Sequence, residues 1–482
     1  MESNQLVRQT IGAAILLFLI VACSVVLFHV EFTWLFCFSA LWIALLAIAF
    51  LQEIFTAEEQ IRGMMYVLVA ATFLNQSIFS INIDFFTLFF YRIMLIITAV
   101  FYLVYGIKEK KLVKNFQQFP LKGVWLFLFL WFSYGIISIL WAKSVLDAVK
   151  YMMLLGIGML FVYLANMLFT KVSYLLIFYG IWLSMTAVLL ALGLINHFMK
   201  IQLSSSSLYG APDYKLAYPT AVFFNQNDFA VFLSISFFLY MAAARNTQNV
   251  WIRRGSFLLG CISVYIIYLT DSRASLLAVI TGILIYLFLL LNKRIKKITL
   301  ILSAIFFLLG LLIIIPEVIN KMNEWAIMSA GYTRTETLPS NLARVNLLKN
   351  TFYYVLDTYG LGVGAGNIPY YLEKYPIFPT GNVWQVHNWF AEIIGNFGIF
   401  IFLGYISLIF YICVSFYKLH EIVRKPTHKM LIEACLTAQI AFLLSSISPS
   451  SVSNLYFHWV FLGFALSTIA VLKKETKEYV LL

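Results

Sequence analysis

The segment NKRIKKITLILSAIFFLLGLLIIIP, residues 292–316, decides the fold. Four of its first six residues are basic, and the uncharged, mostly apolar run at 298–315 then continues to Pro316. A helix of that length spans about 27 Å at ~1.5 Å per residue, close to the ~30 Å hydrocarbon core of a bilayer. The segment is therefore typical of a transmembrane helix whose basic end faces the cytoplasm.

The composition extends this interpretation to the whole chain. Of 482 residues, 62% are hydrophobic and 11% are charged, and the mean hydropathy is +0.90. Soluble domains are nearer ~45–50% apolar. The apolar runs lack the period-2 alternation of a membrane β-barrel. We therefore predict an all-α polytopic membrane protein with a single membrane domain, 1–482, and no nucleic-acid partner, since basic cytoplasmic loops account for the net charge of +12.

The apolar runs define the predicted topology. Fourteen spans can be marked, at about 11–30, 32–51, 63–81, 86–107, 123–141, 148–169, 174–196, 221–243, 255–270, 274–291, 298–315, 388–417, 431–447 and 455–472. An even number places both termini on one side, and most Lys and Arg residues then lie on that side, which indicates the cytoplasm. The long polar segment 316–387, the Ser-rich segment 197–220 and the turn 271–273 consequently face outward.

The long outward loop contains a predicted surface helix. Ser340 is a candidate N-cap and Gly360 a candidate stop. Apolar residues recur between them at three- and four-residue spacing, at Leu342, Val345, Leu348, Phe352 and Val355 or Leu356. This pattern predicts an amphipathic helix of about four turns on the membrane surface, with Arg344 on its more polar face.

Alternating glycines follow this helix in the segment GLGVGAGN, residues 360–367. Such a segment can adopt positive φ and allow close backbone approach, at Gly364 and Gly366 among others. Phosphate binding is one interpretation. Since no Gly-Lys-Ser/Thr follows, the segment is not a nucleotide P-loop.

Further polar residues lie at the outer ends of predicted spans. Asn225, Asn227 and their neighbours in the segment FFNQNDFA, 223–230, either cap that helix or line a polar cavity. Arg273 lies in a tight outward turn, where snorkelling, an ion pair with Asp271 and anion binding are the alternatives.

His387 opens the twelfth span, with Asn388 beside it and Glu392 one turn further in. A histidine at the mouth of a span is either an interfacial polar residue or a general base. Nearby outward arginines favour the second interpretation. Histidine suits the role of a general base, because it titrates close to working pH and a carboxylate or amide could fix its tautomer.

These motifs, in this order and on this side, resemble the bacterial O-antigen ligase and polymerase superfamily. The resemblance covers roughly 218–405, through NQNDFA, SRAS, Arg344 before GLGVGAGN, and His387-Asn388 with Glu392. It implies a helical membrane glycosyltransferase with about 12 spans, whose extracytoplasmic loop, including surface helices, roofs the active site. It also implies a glycan donor on an undecaprenyl diphosphate carrier and a hydroxyl acceptor.

The resemblance assigns roles to individual residues. Arg273 and Arg344 match the arginines that handle the lipid diphosphate, and His387 matches the proposed base. Substrate binding is expected at Asn225, Asn227, Asn388, Glu392, Gly364 and Gly366. Two arginines can stabilise a departing diphosphate, so neither a metal nor another cofactor is expected.

Four functions remain open at this point. The leading hypothesis is a plasma-membrane polymerase of surface polysaccharide repeat units, with its active site facing outward. The alternatives are a ligase that moves the finished glycan onto a lipid, cell-wall or protein acceptor, a lipid-linked glycan flippase or transporter, and a non-catalytic scaffold. Transporters usually place polar groups at mid-membrane, whereas here they cluster at the outer ends of the spans, which favours an enzyme.

Overall fold

A computed structural model describes residues 55–74, 80–83, 86–110, 121–332, 336, 338–449, 451–453 and 455–480. The first two predicted spans, 11–30 and 32–51, lie outside these residues. The remaining twelve each overlap one helix.

The described chain is almost entirely helical, which confirms the predicted all-α polytopic fold. Its elements, in order, are α1 (Ala57–Thr72), β1 (Ser80–Ile83), β2 (Phe86–Phe89), α2 (Phe90–Lys108), α3 (Lys122–Ser138), α4 (Val145–Leu168), α5 (Val172–Met199), α6 (Asp213–Leu216), α7 (Gln226–Asn246), α8 (Val250–Leu269), α9 (Arg273–Leu290), α10 (Lys293–Ala330), α11 (Ser340–Asp357), α12 (Ile368–Lys374), α13 (Trp389–Ile422), α14 (Pro426–Ser445) and α15 (Tyr456–Val480). Among the described residues, nine helices are long and apolar enough to cross a membrane, and α3 is a shorter apolar helix.

Two short strands lie between α1 and α2. Strands β1 and β2 pair antiparallel, with Ser80 opposite Phe89 and Ile83 opposite Phe86. The predicted helix 63–81 therefore ends earlier, at Thr72.

Helix α10 departs most from the sequence prediction. It contains Pro316 and continues to Ala330 over 38 residues, so the long loop has helical structure for its first 15 residues and the turn follows at Gly331. At ~1.5 Å per residue the helix is about 57 Å long, well beyond the ~30 Å hydrocarbon core. Its apolar stretch is not buried against the rest of the described protein.

The centre of the bundle is formed by α7, α14 and α15. Glu433 on α14 is fully buried and forms an ion pair with Arg245, and His420 Nε2 lies 3.3 Å from its carboxylate. It also accepts hydrogen bonds from Asn246 Nδ2 at 2.8 Å and the Tyr286 hydroxyl at 3.1 Å. One carboxyl group therefore joins α7, α9, α13 and α14 at the predicted cytoplasmic end, which offsets the cost of burying it.

Candidate active site

A pocket of about 180 Å³ lies at the predicted outer end of the bundle. It is lined by Ala274, Arg344, Leu348, Val386, His387, Asn388 and Ile447. These residues come from the start of α9, the first turns of α11, the segment before α13 and the segment after α14. The fold thus brings three of the predicted site residues, Arg344, His387 and Asn388, into one cavity.

His387 has an unusual backbone conformation. Its φ is +54°, in the left-handed region that costs a non-glycine residue about 1–2 kcal/mol. Its Nδ1 lies 3.4 Å from the carbonyl oxygen of Ser448. A carbonyl oxygen can only accept a hydrogen bond, so Nδ1 carries the proton and Nε2 keeps its lone pair.

The surroundings of His387 favour its neutral form. Burial lowers the pKa of His387 below its usual value of 6.5, and the positive charge of Arg344 lowers it further. The hydrogen bond to Ser448 acts in the opposite direction. The imidazole is therefore neutral near pH 7 and able to accept a proton.

Arg344 supplies a positive charge beside this base. It lies in the second turn of α11 and is half-buried. Among the described residues, no carboxylate oxygen lies within 4 Å of its guanidinium group. A guanidinium group without a carboxylate partner is suited to bind an anionic ligand such as a phosphate.

Arg273 is the first residue of α9 and is exposed. Its neighbour Ala274 lines the pocket, so the main chain of Arg273 lies at the edge of the cavity. The alternative of an ion pair with Asp271 is not formed, because no contact of 4 Å or less joins these two described side chains.

Asn388 and Asn225 are both helix caps. The Asn388 side chain accepts a hydrogen bond from the Ala391 amide at 3.1 Å and so begins α13 beside His387. Asn225 accepts one from the Asp228 amide at 2.9 Å at the start of α7, which confirms the capping interpretation. Asn227 is half-buried in the first turn of the same helix. Neither Asn225 nor Asn227 lines the pocket.

Glu392 does not line the pocket. Its side chain is buried and accepts hydrogen bonds from the Tyr151 hydroxyl at 3.0 Å, the Ser451 hydroxyl at 2.8 Å and the Val452 amide at 3.3 Å. These bonds attach the segment after α14 to α13. The same segment supplies the Ser448 carbonyl that holds His387.

The alternating glycines pack closely against other main-chain segments. Gly364 has φ +98° and its amide donates to the Asn396 carbonyl at 3.1 Å. A Cβ at Gly366 would lie 2.6 Å from the Cβ of Tyr151. Close backbone approach is confirmed, but the neighbour is protein, and the Gly364 amide is already used in a protein hydrogen bond.

The partner of this glycine segment is a break in α13. Gly398 has φ +77° inside that helix, and the amide of the next residue, Ile399, donates to the Gly360 carbonyl at 2.9 Å. The amide of Val363 donates in turn to the Gly395 carbonyl at 2.8 Å. Main-chain hydrogen bonds therefore attach the glycine segment 360–367 to α13, the helix that follows His387.

Sequence reasoning missed the contribution of the segment SSISPSSVS, residues 445–453. It provides Ile447 to the pocket, Ser448 to His387, and Ser451 to Glu392. Its concentration of serines between two predicted spans, on the same side as His387, is the signal that could have indicated it.

Two comparisons with known proteins bear on this arrangement. Residues 257–406 match the family described as O-Antigen ligase, a range that includes Arg273, Arg344, His387 and Glu392. The chain is also 43% identical, over 429 residues, to the teichuronic acid biosynthesis protein TuaE of Bacillus subtilis (strain 168), covering 88% of each chain. The chain belongs to the O-antigen ligase family. It is a multi-pass bacterial membrane protein of polysaccharide biosynthesis.

Proposed function

We propose that this member of the O-antigen ligase family is a polymerase of lipid-linked polysaccharide repeat units. It transfers a growing glycan from an undecaprenyl diphosphate carrier onto a sugar hydroxyl of the next unit. The observation that carries the proposal is the pocket in which Arg344 and His387 lie together. Placing the pocket outside the cytoplasm, with both termini inside, follows from the distribution of basic residues.

The two polar groups of the pocket suit the two halves of this reaction. As the glycosidic C–O bond to the diphosphate breaks, negative charge grows on the leaving phosphate, and Arg344, with Arg273 at the edge, stabilises it. The acceptor hydroxyl forms the new C–O bond and loses its proton. Nε2 of His387 takes that proton, because Nδ1 is already protonated toward Ser448.

The product class comes from the relative. TuaE is named for teichuronic acid biosynthesis, and we propose that this chain elongates a polysaccharide of that kind, which contains carboxylate-bearing sugars. Displacement by a hydroxyl in one step would invert the anomeric carbon.

A ligase is the second candidate, because residues 257–406 match a family described by that activity. It would use the same donor and the same base. The difference lies in the acceptor, which for a ligase is a lipid, cell-wall or protein hydroxyl.

Deleting the protein in its host and analysing lipid-linked glycans tests both candidates. A polymerase predicts that single repeat units accumulate on the carrier, and that wild type but not His387→Ala restores long chains. A ligase predicts long chains that stay on the carrier. His197→Ala is the matched control, since His197 lies in another predicted outer segment and contacts the Ala217 carbonyl at 2.8 Å. If neither glycan pool changes on deletion, the chain is not this enzyme.

A further inference from the structure

A second polar feature lies on the outer side, away from the pocket. The Nζ of Lys143 is 3.9 Å from the ring centroid of Tyr375 and 5.0 Å from that of Tyr371. Lys143 lies between α3 and α4, whereas the two tyrosines lie in and just after α12. We call these three residues the lysine–tyrosine patch.

The loop that carries Lys143 is held firmly on both sides. The indole Nε1 of Trp141 donates to the Gly362 carbonyl at 3.0 Å. The amide of Ser144 donates to the Asn367 side chain at 2.7 Å, and Asn367 Nδ2 donates back to the Ser144 carbonyl at 3.0 Å. Lys143 therefore projects from a main chain that is fixed to the glycine segment, which lowers the entropic cost of using it to bind a ligand.

The tyrosines are fixed as well. The hydroxyl of Tyr354 on α11 donates to the carbonyl oxygens of Tyr371 at 3.2 Å and Tyr375 at 2.9 Å. The Tyr371 and Tyr375 rings lie 5.8 Å apart. Burial raises the pKa of Tyr371, with smaller contributions from Tyr375 and Asp357, so its hydroxyl group stays protonated at neutral pH and can donate a hydrogen bond.

The charge of Lys143 lacks a carboxylate partner among the described residues, where no acidic oxygen lies within 4 Å of Nζ. Lys374, on α12, differs in this respect, because its Nζ pairs with Glu373 at 2.7 Å. An ammonium group on two aromatic rings, with both Lys143 and Tyr375 exposed, is a cationic and aromatic surface open to an anionic ligand.

We propose that the lysine–tyrosine patch binds a carboxylate-bearing sugar residue of the glycan. The carboxylate pairs with Lys143, and the apolar C–H face of the sugar ring stacks on an exposed tyrosine ring. This inference rests on the proposed function, since it names a part of the substrate of that enzyme.

The position of the patch suits a sugar several residues from the reacting one. Tyr354, which holds the two tyrosines, lies ten residues beyond Arg344 on α11, or about 15 Å along the axis at ~1.5 Å per residue. A glycan that enters the pocket can therefore extend along α11 to the patch. Binding there selects an acidic polymer without contacting the reacting atoms.

The test is equilibrium binding of a soluble oligogalacturonate to the purified full-length protein in nanodiscs of zwitterionic lipid. The same oligosaccharide with its carboxyl groups reduced to alcohols is the neutral probe. We expect the acidic probe to bind more tightly, and Lys143→Met to weaken its binding by about tenfold or more, as loss of a charged hydrogen bond does. Tyr375→Leu weakens both probes, whereas the control Lys374→Met stays within about twofold of wild type, because exposed ion pairs contribute little.

The readout does not depend on turnover. His387→Ala protein binds the acidic probe like wild type, so loss of the proposed catalytic role and loss of the patch can be told apart. Equal binding of the two probes by wild type, or unchanged binding in Lys143→Met, overturns the proposal. It is also overturned if phosphatidylglycerol in the nanodisc abolishes acidic-probe binding in both wild type and Lys374→Met, since Lys143, which both proteins retain, would then hold a lipid phosphate.

Discussion

His387 Nδ1 and the Ser448 carbonyl oxygen lie 3.4 Å apart, although 61 residues separate them in the chain. This contact determines which imidazole nitrogen is protonated. It also makes the segment after α14 part of the candidate active site, because a shift of Ser448 changes both the tautomer and the direction of His387.

Activity is expected to fall on the acid side, with a midpoint below pH 6.5. Burial and Arg344 lower the pKa of His387, so the neutral base persists below its usual titration range and activity is lost once pH falls through the lowered pKa. The measurement is kcat/KM against pH. In Arg344→Gln, one positive charge is removed and the acid limb of the remaining activity moves to higher pH. An unchanged midpoint in that variant would show that His387 is not the titrating base.

Replacing His387 by Asn separates catalysis from folding. Asn tolerates positive φ better than histidine does, so the substitution keeps the backbone conformation and changes the free energy of unfolding by no more than about 1 kcal/mol. Loss of a general base lowers kcat by about 10²–10⁴-fold. Thermal unfolding and glycan transfer measured on the same preparation check both expectations. A variant that retains kcat would remove His387 from the mechanism.

The sequence predicts the local parts of this structure well. Helix positions follow from the length of each apolar run, and Arg344 and His387 are predicted to lie near each other because both belong to segments predicted to face outward. Pro316 misled the assignment of the loop, since a proline removes one helical hydrogen bond and usually ends a helix in water. In α10 the helix nevertheless continues past Pro316 to Ala330.

Contacts between distant segments could not be predicted in the same way. Glu392 and Asn388 lie one turn apart at the start of the same helix. The Glu392 carboxylate is nevertheless buried against Tyr151 and Ser451, whereas Asn388 lines the pocket. The spacing of apolar residues indicates which face of a helix is buried, but it does not indicate which segment packs against that face. The glycine segment shows the same limit, because alternating glycines indicate close approach without indicating whether the neighbour is a ligand or Gly398.

Glu392 is expected to act by positioning the segment after α14. Glu392→Gln weakens the hydrogen bonds to Ser451 and Val452, and lowers the free energy of unfolding by about 1–3 kcal/mol. Combining it with Ser451→Ala gives a smaller loss than the sum of the single losses, because both substitutions act on the one hydrogen bond that Ser451 donates to residue 392. Thermal unfolding of the four proteins in the cycle measures this coupling. Strict additivity would contradict the arrangement.

Substituting Gly398 tests whether its contact with Gly360 attaches the loop to α13. A Cβ at this position would lie 2.2 Å from the Gly360 carbonyl oxygen, and φ is +77°, so Gly398→Ala forces the two segments apart. We expect a loss of about 1–3 kcal/mol in the free energy of unfolding, as overpacking typically costs, and a matching loss of activity as the loop moves. Gly180→Ala is the control: it lies inside α5 with no atom within 4 Å of the added Cβ, and it raises stability by about 0.5–1 kcal/mol because alanine favours helix. Equal effects of the two substitutions on thermal unfolding would show that the contact between Gly398 and Gly360 does not hold the loop.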